Sequence, residues 1–217
     1  MVHQFFIDKR VHEGLTFEQY MGKFKAEAEK EETADLSDEE KEDRKMTYLN
    51  YQRSTRILRT YNADNELVNL ITNISSPMIW MVISEMWCGD SAQNLPYLAK
   101  MAEINPLIQL RIIMRDSNPD IMDLFLTNGD SRSIPKLVAF DEYGNELFQW
   151  GARPKEAQEL VSKLKIEGME KKNYLQQLHL WYGRDRGKTL EKEFSDILSS
   201  SDNTLLSAIF DYSQSRQ

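Results

Sequence analysis

The sequence predicts an α/β protein: a central mixed four-stranded sheet flanked by helices, with helical extensions at both ends. Three observations carry this. MIWMVIS (78–84) is apolar on both faces, as a strand buried inside a parallel sheet must be. LIQLRIIM (107–114) follows after a helical stretch, completing a β-α-β unit. KLVAF and ELFQW then flank DEYGN, the signature of a hairpin.

Taken in order, residues 1–62 read as helical. TFEQYMGKFKAEAEK sets Phe17, Tyr20, Met21 and Phe24 three and four apart, one amphipathic stripe. An acidic run from Glu27 to Asp43 holds ten carboxylates against two lysines, a solvated helix face and bend. SDEE at 37–40 is a capping box: Ser37 accepts from a backbone N–H three residues on, and Glu40 reaches back. The helix it opens should run to about Tyr61, with Tyr48, Tyr51, Thr55 and Leu58 on one face. A short helix over 65–73 follows, and Ser75-Ser76-Pro77 marks the change to strand.

After the first strand, a helix over 89–104 turns Leu95, Leu98, Ala99 and Ala102 inward. NPDIMDLFLTN predicts a short helix ending near Asn128-Gly129, and another helix begins after Pro154. From about 168 the pattern stays helical, with stripes but no recognisable site. The predicted organisation is a helical extension over 1–74, a core over 75–167 and a second extension over 168–217. The extensions are candidates for a homodimer contact.

Bulk properties narrow the function. The 217 residues carry a formal net charge of −8. That argues against nucleic acid, which needs a basic face, and against an anionic membrane surface. No apolar run approaches the ~20 residues that span a bilayer. The N-terminus has no long apolar segment of the secretory kind. The expected location is therefore cytoplasmic. The single cysteine excludes an intrachain disulfide and a cysteine-based zinc site, and His3, His12 and His179 lack ligand spacing. No metal or resident cofactor is expected.

That cysteine, Cys88, stands in EMWCGDSAQNLP, between Trp87 and a Gly89-Asp90-Ser91 turn. WCGDS resembles the W-C-x-x-C active site of the thioredoxins. Pro96, eight residues on, falls where that family kinks its active-site helix. RDSNPD (115–120) resembles the family's D-x-N-P stretch, and SIPKLVAF (133–140) its I-P-T strand. WGA (150–152) resembles the glycine step after its last strand. Five matches in order, over about 75–167, are specific. The wording is similar to a bacterial subfamily known only as thioredoxin family proteins. The resemblance implies a thioredoxin-like fold and a cis bond before Pro135. It implies an active site of Cys88, Ser91 and Pro135, surrounded by Trp87, Gly89, Asp90, Ile134 and Lys136.

Three departures matter: Ser91 replaces the second cysteine, Val82 the buried acid six residues before the first, and helical residues 1–74 the first strand and helix. A thiolate at a helix N-terminus is favoured by unpaired N–H groups and the helix dipole. A hydroxyl hydrogen bond from Ser91 would help it, and repulsion from an exposed Asp90 would oppose it. The sum predicts a modestly lowered pKa. Ser91 cannot resolve a mixed disulfide, so release needs an outside thiol, glutathione or another small thiol as co-substrate. Lys136 either favours a thiolate or a glutathione carboxylate, or is solvated on its strand. A cis bond at Pro135 would leave the backbone around Ile134 open to an extended peptide.

The expected activity is thus monothiol thiol–disulfide exchange through Cys88 on a protein or peptide disulfide or thiol. The alternatives are a redox-inactive thioredoxin-fold module that binds peptides, and a scaffold whose helical ends dimerise.

Overall fold

The computed structural model describes residues 2–30 and 36–200. Four helices precede the sheet: α1 (Gln4–Ile7), α2 (Phe17–Ala28), α3 (Asp38–Thr60) and α4 (Asn65–Thr72). Then come β1 (Met78–Ser84), α5 (Gly89–Ala102), β2 (Ile108–Met114), α6 (Pro119–Met122), β3 (Lys136–Asp141), β4 (Glu146–Gly151), α7 (Lys155–Ile166) and α8 (Lys171–Asp185). A further helix, α9, runs from 188 to 200. The end of the expected C-terminal stripe and part of the acidic run lie outside the described residues.

The sheet order is β2-β1-β3-β4. β1 pairs parallel to β2 and antiparallel to β3, and β3 to β4, so the sheet is mixed as expected. β1 is central and every one of its residues is buried, which is why it needs apolar side chains on both faces. Trp80 and Val82 face one core, and Met81 and Ile83 the other. At the β2 edge, Leu15 closes two backbone hydrogen bonds with Ile112, covering part of an otherwise open strand.

The first core is shared between sheet and N-terminal helices. Tyr20 and Phe24 of α2, Ile57 of α3, and Leu67 and Ile71 of α4 pack with Trp80, Val82 and Leu95. The expected capping box of Ser37 with Glu40 opens α3, and the structure adds a second, Thr16 with Gln19, that opens α2. Asn105 ties α4 to the sheet, donating to the carbonyls of Ile71 and Ile74 while accepting from Leu107 N–H. Across the sheet, Phe5 and Phe6 of α1 meet Phe140 edge-on or tilted, and Phe5 meets Phe125.

One expectation about α3 is corrected. Its buried face is Thr47, Asn50, Ser54 and Ile57, whereas Tyr48 is exposed. The face is mixed: Asn50 and Ser54 bury hydrogen-bonding side chains, and Ile57 packs into the first core.

α8 lies over the start of α5. The imidazole of His179 occupies the space beside Gly89, where an added Cβ would meet it at 3.0 Å. Burial, with the charges of Arg53 and Arg153, lowers its pKa from 6.5 to about 4. His179 is therefore neutral in the folded chain at neutral pH.

Two outcomes follow. Phe24→Ala should cost about 3–5 kcal/mol in urea denaturation, because it empties a core shared with the sheet. Since unfolded His179 binds a proton first, its contribution is intact above pH 6.5. It is lost between 6.5 and about 4, by about 3 kcal/mol. In denaturation curves against pH, His179→Gln should flatten stability across that window.

Candidate functional site

β1 ends at Ser84, and four residues later Cys88 is the N-cap of α5. Its backbone is extended (φ −78°, ψ 116°), and the Ser91 N–H donates to Sγ at 3.4 Å. The opposite wall is the segment entering β3. The Ile134–Pro135 bond is cis, and the Ile134 carbonyl oxygen lies 3.4 Å from Sγ, accepting from the thiol. The pairing of Lys136 with Ile83 holds the two segments side by side. The sulfur is thus fixed between a donor and an acceptor.

Its ionisation runs opposite to the expectation from sequence. Cys88 is only 8% exposed, and burial pushes its thiol pKa up, with the Asp90 charge adding to the rise. Ser91 pulls it down through its hydroxyl dipole and its N–H, but burial wins. The Ser91 hydroxyl itself meets no partner at hydrogen-bond geometry and is fully enclosed. The expected hydroxyl-to-sulfur bond is therefore replaced by one from the backbone. The helix N-terminus is present, yet the thiol is sealed too well for it to prevail.

Asp90 is the second correction. It is buried rather than exposed. Its Oδ1 accepts from the Tyr182 hydroxyl at 2.8 Å, and its Oδ2 from Arg153 at 2.9 Å through Nε and 2.7 Å through a terminal nitrogen. Asn94 donates to the same tyrosine oxygen at 3.0 Å and to the Asp90 carbonyl. This cluster fastens α8, and the segment between β4 and α7, onto the first turn of α5. The thiol therefore lies near a buried carboxylate that is paired with Arg153 yet still raises its pKa.

α3 supplies the third wall. Asn50 donates to the carbonyls of Met86 and Trp87, and Arg53 donates to the Asn50 oxygen. Pro96 has no N–H to offer the Ala92 carbonyl four residues back, and Ser54 of α3 donates to that oxygen instead. Among the predicted neighbours, Trp87 is 47% exposed: its Nε1–H donates to Asp116, and the Arg115 guanidinium lies 4.6 Å over its ring. Lys136 is buried, not solvated on its strand, and burial lowers its pKa. Ile134 and Pro135 are buried too, so the backbone expected to stand open is covered in this conformation. A side chain at Gly89 would crowd His179, whose ring would have to give by a few tenths of an ångström.

The structure therefore brings Cys88, Gly89, Asp90, Ser91, Ile134 and Pro135 together. It adds residues the sequence reading passed over: Asn50, Ser54, Arg153, His179 and Tyr182. Only the polar residues at 47, 50 and 54 left a periodic trace. Among the described residues, no cluster of three or more His, Cys, Asp or Glu could hold a metal. No described helix is long and apolar enough to cross a membrane.

No curated protein matches the chain. Among solved structures it is similar to a protein of unknown function from Pseudomonas aeruginosa, at 19% identity and TM-score 0.59. That match covers 89% of this chain and 95% of the other. It is also similar to an HIV epitope scaffold, at 20% identity and TM-score 0.54, over 86% and 91% of the two chains. These likenesses concern the fold. The family model described as thioredoxin matches residues 36–165, from the cap of α3 nearly to the end of α7. With its mixed four-stranded sheet and flanking helices, the chain belongs to the thioredoxin family.

Proposed function

We propose that the protein carries out monothiol thiol–disulfide exchange through Cys88. The observation that supports this most is the seat of Sγ, between the Ser91 N–H at the start of α5 and the Ile134 carbonyl beside Pro135. The Cys88 thiolate attacks one sulfur of a substrate disulfide. A mixed disulfide forms, and the other sulfur leaves as a thiolate. With serine at 91, an external thiolate then attacks the mixed disulfide and regenerates Cys88. The external thiol is left joined to the retained substrate sulfur as a new disulfide, the other substrate sulfur is a thiolate, and Cys88 ends unchanged.

The raised pKa makes this a quiet thiol. The folded site holds the protonated form, with the hydrogen directed to the Ile134 carbonyl. Reaction requires ionisation and access together, which favours slow, selective exchange over broad reductase activity. A second reading, a redox-inactive binding module, is favoured by the 8% exposure of Cys88. It would use the fold without the sulfur.

The readings separate on one experiment. Under the exchange reading, oxidised glutathione leaves one adduct on Cys88 by mass spectrometry, reversed by reduced glutathione and absent in Cys88→Ser. Its rate should rise with pH through a midpoint above that of an ordinary cysteine. No adduct even at alkaline pH, with the fold intact, would leave the binding module. Asp90→Asn removes the repelling charge and should lower that midpoint. The same change strips Arg153 of its buried partner and should cost about 3 kcal/mol in chemical denaturation.

A further inference from the structure

Away from the sulfur, a cavity of about 490 Å³ opens between the end of α3, the face of α5 and the turn from α8 to α9. That volume lies within the range of small-molecule sites. Three cations line it, Arg56, Arg186 and Lys188, together with Tyr61, Tyr97 and Glu191.

The charges are unevenly matched. Four arginines elsewhere pair with acids: Arg10 with Asp120, Arg115 with Asp116, Arg132 with Asp123 and Arg153 with Asp90, while Arg53 and Arg111 bond amide or carbonyl oxygens. Arg56, Arg186 and Lys188 make no ion pair among the described residues. The nearby acids are already engaged. Glu191 accepts from the Tyr61 hydroxyl at 2.9 Å and from Asp64 N–H at 3.1 Å, and burial raises its pKa toward the neutral form. Asp185 accepts from the backbone N–H of Gly187 and Thr189 and from the Thr189 hydroxyl.

Tyr97 supplies an independent observation. It is only 7% exposed, yet its hydroxyl has no hydrogen-bond partner among the described residues, although it lines the cavity. Burial and then the Asp185 charge raise its pKa, with Glu191 adding to the rise, while Arg56 and Arg186 pull it down. Its ring meets Tyr61 edge-on at 4.6 Å between centroids. The α8–α9 turn is built tightly against it. Gly187 has φ +87°, and a Cβ there would lie 2.5 Å from the Tyr97 ring. Arg186, just before, takes the left-handed conformation at φ 56° and stands at the cavity wall. A net-negative protein thus keeps a pocket of cations without ion pairs, aromatic surface and one phenol hydroxyl that faces the cavity.

We propose that this cavity binds a small organic anion. Its phosphate or carboxylate group is held by Arg56, Arg186 and Lys188, and its body lies against Tyr61 and Tyr97. Guanidinium groups suit both oxyanions because their forked N–H donors match two oxygens at once. The Tyr97 hydroxyl donates to the same group or to the ligand body.

The test is calorimetric titration of the full chain with pyrophosphate, citrate and ADP. At least one should bind with a Kd below about 1 mM, weakening as salt rises. Arg56→Gln with Arg186→Gln should weaken it by about tenfold or more, and Tyr97→Phe by roughly threefold. Both arginines are exposed, so the double variant should keep its circular dichroism and melting temperature. Binding by pyrophosphate or ADP alone assigns a phosphate ligand, and by citrate alone a carboxylate one. Absence of binding by all three at 10 mM overturns the proposal. So does equal weakening by Lys100→Gln with Arg132→Gln, which removes two cations elsewhere.

Discussion

A buried carboxylate must have its charge met, and the arrangement around Cys88 depends on how Asp90 does so. In a site of low polarity, an unpaired carboxylate would cost several kcal/mol. Here the charge is answered by Arg153 and the Tyr182 hydroxyl, which come from two segments distant in sequence. Satisfying Asp90 therefore brings the β4–α7 segment and α8 onto the first turn of α5. The same closure removes water from the sulfur. Without solvent to screen it, Asp90 then acts on the thiol it helps to enclose. One set of contacts thus fixes the geometry of the site and its ionisation.

The polar face of α3 completes this arrangement. A proline four residues after Ala92 leaves a buried carbonyl without its helical donor, and Ser54 supplies one. Asn50 does the same for two carbonyls of the loop before Cys88. These residues stand before the sheet in sequence, yet they are part of the site's wall. The family match beginning at residue 36, at the cap of α3, agrees with that physical role.

Much of the fold was legible because it rests on local or periodic signals. A doubly apolar strand had to be central, DEYGN had to turn, and the capping box at Ser37 marked a helix start. The positions of Cys88 and Pro135 on facing segments followed from the thioredoxin-like spacing. What could not be read was the surroundings of the sulfur. The burial of Asp90 depends on Arg153 and on Tyr182, 92 residues away, and no periodicity links them. The sign of the Cys88 shift was misjudged for that reason: the helix terminus is visible in sequence, but the enclosure is not. The α3 face is hidden from a hydrophobicity pattern because two of its buried positions, Asn50 and Ser54, carry hydrogen-bond donors.

Tyr182 has two neighbourhoods. Its hydroxyl is bound into the cluster at Asp90, and the same residue lines the cavity at the α8–α9 turn. A single aromatic ring is thus the party wall between the sulfur's chamber and a separate hollow. Replacing it cannot remodel one room while sparing the other. Any redesign of either compartment inherits the demands of both.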